Sequence, residues 1–189
     1  MPLKTTPERW GSVAKFLHWT IAILVVLMLI VGNFMDDLPN SPDKMRVYAV
    51  HKSTGLSILA LMILRLGWRY FDPRPADPPG LGGLAKFASR AVHMVFYALL
   101  ILMPLSGWLY NSAANFPLKW FGLFRMPALS VPDKQIKQLA LETHETLSWI
   151  ILAVLIVHAA AALKHHFIDR DSVLRRMLPF ARTRPGDPQ

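Results

Sequence analysis

Apolar residues are concentrated in four long blocks, at about residues 16–35, 47–68, 91–110 and 145–163. Each block is close to the ~20 residues that an α-helix needs to cross the hydrocarbon core of a bilayer. Lipid cannot hydrogen-bond an unpaired backbone, so a continuous apolar block of this length predicts a spanning helix. The chain is therefore predicted to be all-α, an integral membrane four-helix bundle that forms a single domain over residues 1–182. Residues 183–189 are predicted to be a disordered tail.

The segments between the blocks add two expectations about the external side. Residues 111–131 are predicted to form a long external loop, whose aromatic residues suit the membrane interface. Pro132 and Asp133 are typical of a helix start, so the fourth span is predicted to extend outward.

Lysine and arginine are unequally divided between the two sides of these spans. Fourteen lie on the side that holds both ends of the chain, with Arg65 at the end of the second block counted there, whereas seven, with Lys52 near the start of that block counted among them, lie on the other side. Cytoplasmic loops carry an excess of Lys and Arg, so both termini are predicted to be cytoplasmic. The net charge of +9 does not indicate nucleic-acid binding, because the basic residues lie in loops and not along one amphipathic face.

The sequence contains no cysteine. This excludes disulfides, thiolate metal sites, iron–sulfur clusters and the covalent attachment of c-type haem. Any haem in this chain must be bound without covalent links.

Histidines lie within the apolar blocks or at their ends, where an ionisable group is costly. His144 and His158 are 14 residues apart, which is about 21 Å and nearly four full turns of helix, so they share one face of the fourth span. His51 lies at the level of His144, near the outer end of the second span. His18 lies at the level of His158, near the cytoplasmic end of the first span.

Two depth-matched histidine pairs predict two non-covalent b-type haems. Paired imidazoles give a six-coordinate iron with no open position, which suits electron transfer better than oxygen activation. The predicted axial ligands of the two irons are His51 with His144 and His18 with His158.

Several polar residues keep two interpretations at this point. His93 is a competitor to His18 for the inner haem, whereas His165 and His166 suit the membrane exit. Arg65 and Arg69 share a face and suit either haem propionates or ordinary cytoplasmic anchoring. The external basic residues either guide a small anion or are scattered and solvated; they include Lys52, Lys119, Arg125, Lys134 and Lys137.

The chain resembles the prokaryotic cytochrome b561 family from about residue 8 to residue 179. The resemblance rests on His18-Trp19, on His51-x-Ser53-x-Gly55, on His144-Glu145-Thr146-Leu147, and on the run from His158 through four alanines, Leu163 and Lys164 to His165-His166. It implies a multi-pass protein of the bacterial inner membrane with two b haems, whose ligands match His18, His51, His144 and His158. It also implies superoxide:ubiquinone oxidoreductase activity, in which superoxide gives electrons at the periplasmic face and ubiquinone receives them.

Two other functions remain open on the sequence alone. One is a haem-bearing membrane anchor that carries electrons for a partner oxidoreductase. The other is a transporter whose histidines bind a metal ion or relay protons. Against the transporter, the fourth span has no carboxylate between Glu145 and its cytoplasmic end.

Overall fold

The computed structural model describes residues 2–72, 74–76 and 82–179, which are mostly helical. The elements in chain order are α1 Ser12–Phe34, α2 Pro42–Phe71, α3 Gly83–Ala113, β1 Lys119–Trp120, β2 Phe124–Arg125, α4 Lys134–Phe167 and α5 Val173–Met177. The predicted tail at 183–189 lies outside the described residues.

Among the described residues, four helices are long and apolar enough to cross a membrane, namely α1 to α4. The prediction of four membrane-spanning helices is confirmed. The helices have 23, 30, 31 and 34 residues, so all but α1 continue well past the ~20 residues that a bilayer requires. The additional turns, such as those at the start of α2 and of α4, are polar. They remain helical outside the lipid because their backbone hydrogen bonds form within the helix itself.

Two of these helices begin at side-chain caps. The Ser41 hydroxyl accepts a hydrogen bond from the Lys44 amide at 3.2 Å, and Pro42 follows at the first helical position, where its missing N–H is harmless. One carboxylate oxygen of Asp133 accepts the amides of residues 135 and 136, both at 2.8 Å. The predicted outward extension of α4 therefore starts at this cap.

The connection from α3 to α4 contains a short antiparallel hairpin that the sequence analysis treated only as loop. Lys119 pairs with Arg125 and Trp120 with Phe124. The two turn residues that follow β1, Phe121 and Gly122, have φ angles of 44° and 77°, as a tight hairpin turn of this hand requires.

Side chains of α2 hold this hairpin in place. The Ser53 hydroxyl accepts the amide of Phe121 at 2.9 Å and lies 3.3 Å from the carbonyl oxygen of Lys119. The indole N–H of Trp120 donates to the Ser57 hydroxyl at 3.0 Å. The hairpin is thus fastened to α2 within six residues of His51.

The chain divides into two compact units. The terminal unit is the described part of Met1–Thr20, Ile63–Phe96 and Ala153–Gln189, and the central unit is Ile21–Met62 with Tyr97–Leu152. One predicted histidine pair falls in each unit.

A buried carboxylate organises the terminal unit. Asp72 is 1% exposed and accepts hydrogen bonds from the Thr5 amide at 2.8 Å, the Thr5 hydroxyl at 2.6 Å and the Trp68 indole at 3.1 Å. Two donors from α1 bind the end of α5 and the residue that follows it: the Lys15 ammonium donates to the Leu178 carbonyl at 3.0 Å, and the Trp19 indole donates to that of residue 177 at 2.9 Å. These bonds join the N-terminal segment, the end of α2 and the region of α5 within one unit.

Candidate functional site

The central unit brings together the rings of His51 and His144. Their ring centres are 6.3 Å apart, and the ring planes cross at 68°. A metal–imidazole bond of about 2.0–2.1 Å, added to a ring radius of about 1.1 Å on each side, puts the centres of two opposed ligands about 6.3 Å apart. Rotation about the metal–nitrogen bonds changes the angle and not this distance. The pair therefore has the spacing of two imidazoles on one metal atom.

The orientation of His144 is set by α3. Its Nδ1 lies 3.0 Å from the Ser106 hydroxyl and 3.1 Å from the Met103 carbonyl oxygen. A carbonyl oxygen only accepts, so Nδ1 carries the proton and Nε2 keeps the lone pair that a metal needs. Metal-binding histidines are commonly oriented by an acceptor of this kind on the other ring nitrogen.

Glycines lie against both rings of the central pair. A Cβ on Gly107 would approach His144 to 3.0 Å at Cε1 and 3.2 Å at Nδ1, and a Cβ on Gly32 would lie 3.4 Å from Cε1 of His51. Only a residue without a side chain leaves room for the His144 ring where it stands. The sequence analysis missed both glycines, although glycine inside a spanning helix costs up to ~1 kcal/mol and is a signal of close packing.

The terminal unit brings together the rings of His18 and His158. Their centres are 6.4 Å apart and their planes cross at 69°, nearly the same geometry as in the central pair. Both rings are half-buried. This pair also has the spacing of two ligands on one metal atom.

His93, the competing ligand, contacts the same ring of the terminal unit. Its ring centre is 5.8 Å from that of His158, about half an ångström less than two opposed ligands of one metal atom require. Its Nδ1 lies 2.6 Å from the Ser89 carbonyl oxygen, which fixes the proton on that nitrogen. The ring separation favours His18 as the partner of His158, whereas the bond to the Ser89 carbonyl leaves Nε2 of His93 with the lone pair that a metal needs. His93 lies beside the pair as a third imidazole.

The two arginines of α2 have different surroundings. One guanidinium nitrogen of Arg65 lies 3.4 Å from Nδ1 of His18, and another lies 3.4 Å from the carbonyl oxygen of Ala14. The guanidinium of Arg69 lies over the ring of Trp10, 5.3 Å from its centre. Arg65 therefore faces the histidines, whereas Arg69 stacks on an indole near the N-terminus.

Two basic residues of the central unit face each other on the hairpin, and a third, Lys52, adjoins the serine of α2 that holds the hairpin. Lys119 and Arg125 are directly paired across the strands, and both are exposed. Ser53 contacts the backbone of Lys119, and its neighbour Lys52 places its ammonium 5.5 Å from the centre of the Phe116 ring. Like charges directly opposite each other on a hairpin are unfavourable, and the Lys119–Arg125 pair makes this part of the hairpin locally positive.

His165 belongs to a different cluster at the end of α4. Its Nδ1 lies 2.6 Å from a carboxylate oxygen of Asp171 and 3.4 Å from one of Asp169. The Lys164 ammonium binds both oxygens of Asp169 at 2.7 and 2.8 Å and lowers the pKa of that carboxyl. These contacts join the end of α4 to the residues that follow it.

Comparison with known proteins gives a single result over nearly the whole chain. The sequence profile of the family described as prokaryotic cytochrome b561 matches residues 9–180. "Cytochrome b561 homolog 2" of Escherichia coli K12 is 34% identical, over 94% of this chain and 95% of that protein. "Cytochrome b561 homolog 1" of the same organism is 28% identical, over 91% and 98% of the two chains. "Probable superoxide oxidase CybB" of Yersinia pestis is 27% identical, over 91% and 97%.

Proposed function

Because this chain belongs to the prokaryotic cytochrome b561 family, and is therefore a multi-pass membrane cytochrome that transfers electrons through b-type haem, we propose that it binds two haems and uses them to oxidise superoxide and reduce ubiquinone. The observation that carries the proposal is the pair of ring separations, 6.3 and 6.4 Å, each within one unit.

His51 with His144 in the central unit, and His18 with His158 in the terminal unit, would hold the two haem irons. Each haem, when bound, would supply a one-electron carrier. The chain's own residues fix the distance between each pair of ligands, and at His144 they also fix the ring nitrogen that faces the metal. Gly32 and Gly107 keep side chains away from the central rings.

Superoxide is the proposed electron donor on two grounds. A relative with 27% identity carries the name of a probable superoxide oxidase, and Lys119 and Arg125 are paired on the hairpin of the unit that contains His51. Two superoxide anions would each give up one electron and leave as O₂, and one ubiquinone would take two electrons and two protons to become ubiquinol. With both termini cytoplasmic, as the distribution of Lys and Arg predicts, superoxide would react at the periplasmic face.

The ligand assignment is tested by haem content and the reduced-minus-oxidised visible spectrum of purified variants. His51→Ala and His144→Ala are each expected to hold one haem, as are His18→Ala and His158→Ala. His93→Ala is the discriminating control and is expected to hold two. One haem in His93→Ala with two in His18→Ala would refute the terminal pair, and absence of b-type bands in all proteins would refute the whole proposal.

The donor assignment is tested by rapid mixing of superoxide with the oxidised, haem-loaded protein in the presence of a ubiquinone analogue. Replacing Lys119 and Arg125 together with glutamine is expected to slow haem reduction about tenfold at low salt and much less at high salt, because steering is screened. Replacing Lys44 and Arg46 with glutamine removes the same charge from the same predicted side, and little change is expected. If superoxide does not reduce the wild-type haems, the donor assignment is refuted, and the alternative of an electron-carrying membrane anchor for a partner oxidoreductase is favoured.

A further inference from the structure

The Nδ1 nitrogens of His144 and His18, one from each pair, have neighbours of opposite kind. In the central unit, Nδ1 of His144 donates toward oxygen acceptors, the Met103 carbonyl at 3.1 Å and the Ser106 hydroxyl at 3.0 Å. In the terminal unit, Nδ1 of His18 lies 3.4 Å from a guanidinium nitrogen of Arg65, which has donors only. One ring is thus bonded to acceptors, and the other lies beside a permanent positive charge.

These partners have opposite effects on a haem iron bound to the same ring. An acceptor on Nδ1 makes the imidazole a more basic ligand, which stabilises the oxidised iron. A guanidinium stays charged at every relevant pH, and its field opposes the additional positive charge that oxidation places on the iron. That effect has the same sign if Arg65 turns from the ring of His18 toward a haem propionate.

The other charges near the two pairs reinforce this difference. In the central unit, Lys52 follows His51 and Glu145 follows His144, so the adjacent charges are of opposite sign. In the terminal unit, the guanidinium of Arg65 lies against the ring of His18.

From this asymmetry we infer that the haem of the terminal unit has the higher reduction potential, and that Arg65 sets the direction of electron transfer from the His51–His144 site to the His18–His158 site. The inference rests on the proposed function, since it requires one haem in each unit. One electron leaves the first site and enters the second, with no bond formed or broken and no proton transferred. Quinone reduction would then draw its electrons from the terminal unit.

The experiment is a potentiometric titration of the haem-loaded protein, followed at the b-type absorption bands. The wild type is expected to show two one-electron components. Arg65→Gln is expected to lower the reduction potential of the higher component by at least 59 mV, which is a tenfold change in the equilibrium constant of a one-electron couple. The potential of the lower component is expected to stay the same. Arg65→Lys keeps the charge and is expected to remain close to the wild type.

Arg69→Gln is the matched control, because it removes the same charge one turn further along α2, where the guanidinium lies over Trp10. It is expected to move the higher component by much less than Arg65→Gln does. Two further variants assign the components. His144→Ala should keep only the component that responds to Arg65→Gln, and Ser106→Ala, which removes an acceptor from His144, should raise the lower component in the two-haem protein.

Two results would overturn the inference while the proposed function stands. In the first, Arg65→Gln shifts the reduction potential of the lower component, which would reverse the direction of transfer. In the second, Arg65→Gln shifts the potential of the higher component no more than Arg69→Gln does. A wild-type protein with one haem or none would instead refute the proposed function, and the inference with it.

Discussion

Gly107 lies against the ring of His144, and its replacement by alanine perturbs the central site through a single methyl group. The added Cβ would stand 3.0 Å from Cε1 and 3.2 Å from Nδ1 of the ring. Both distances are shorter than ordinary van der Waals contact, so the ring must move by a few tenths of an ångström. The ring cannot move freely, because Ser106 and Met103 form hydrogen bonds with its Nδ1. Both residues lie on α3, the helix that would carry the new methyl group.

The magnitude follows from two opposing terms. Overpacking of one methyl group in a close-packed site costs about 1–3 kcal/mol. Glycine to alanine inside a helix returns up to about 1 kcal/mol through backbone propensity. A comparison with a second glycine in a helix removes the propensity term. Gly67 in α2 provides it, since a Cβ there would meet nothing within 4 Å.

Haem retention and thermal unfolding in detergent measure the difference between the two variants. Gly67→Ala is expected to hold two haems and to be as stable as the wild type or slightly more stable. Gly107→Ala is expected to be about 1–3 kcal/mol less stable than Gly67→Ala. It is also expected to lose haem selectively from the central site, because haem affinity falls about tenfold for each 1.4 kcal/mol.

This expectation is contradicted if Gly107→Ala retains both haems with unchanged spectra and unfolds at the same temperature as Gly67→Ala. Loss of the haem assigned to His18 and His158, with the central haem retained, would also contradict it, because the methyl group contacts only the central ring.

Two further predictions concern buried polar groups. Ser53→Ala removes the acceptor of the Phe121 amide, so we expect about 1–3 kcal/mol of destabilisation and faster proteolysis of the hairpin. Ser148→Ala removes a serine hydroxyl that bonds a carbonyl within α4 and is the control. It should change neither the stability nor the rate of proteolysis. Asp72→Ala leaves the Thr5 amide and hydroxyl without their acceptor, so the N-terminal segment should become more rapidly cleaved in limited proteolysis, whereas unchanged cleavage would show that this carboxylate does not hold it.

Much of the helical architecture could be predicted because its causes are local in sequence. An apolar block near 20 residues long becomes a helix in lipid whatever its neighbours are, and caps such as Asp133 act on amides two and three residues away. The hairpin was missed because two-residue strands have little pattern of their own. Ser53 and Ser57 fasten it from 63 to 68 residues earlier in the chain.

The contrast between Arg65 and Arg69 shows where sequence reasoning about the candidate sites ends. Both arginines lie at the same end of α2, four residues apart. On sequence alone, either side chain could bind a haem propionate or anchor the helix at the membrane surface. Helical periodicity placed them on one face together but did not identify what stands opposite each. The structure separates them, because His18 contacts the first and Trp10 the second.

The sequence by itself determined the number of spanning helices and the level of each histidine along its helix, because the rise and the period of an α-helix are fixed by its backbone. Only the tertiary structure decided what surrounds each imidazole. Ser106 and the Met103 carbonyl reach His144 across 38 and 41 residues, and Arg65 reaches His18 across 47. Such contacts depend on how side chains of separate helices pack, and no local pattern specifies that packing.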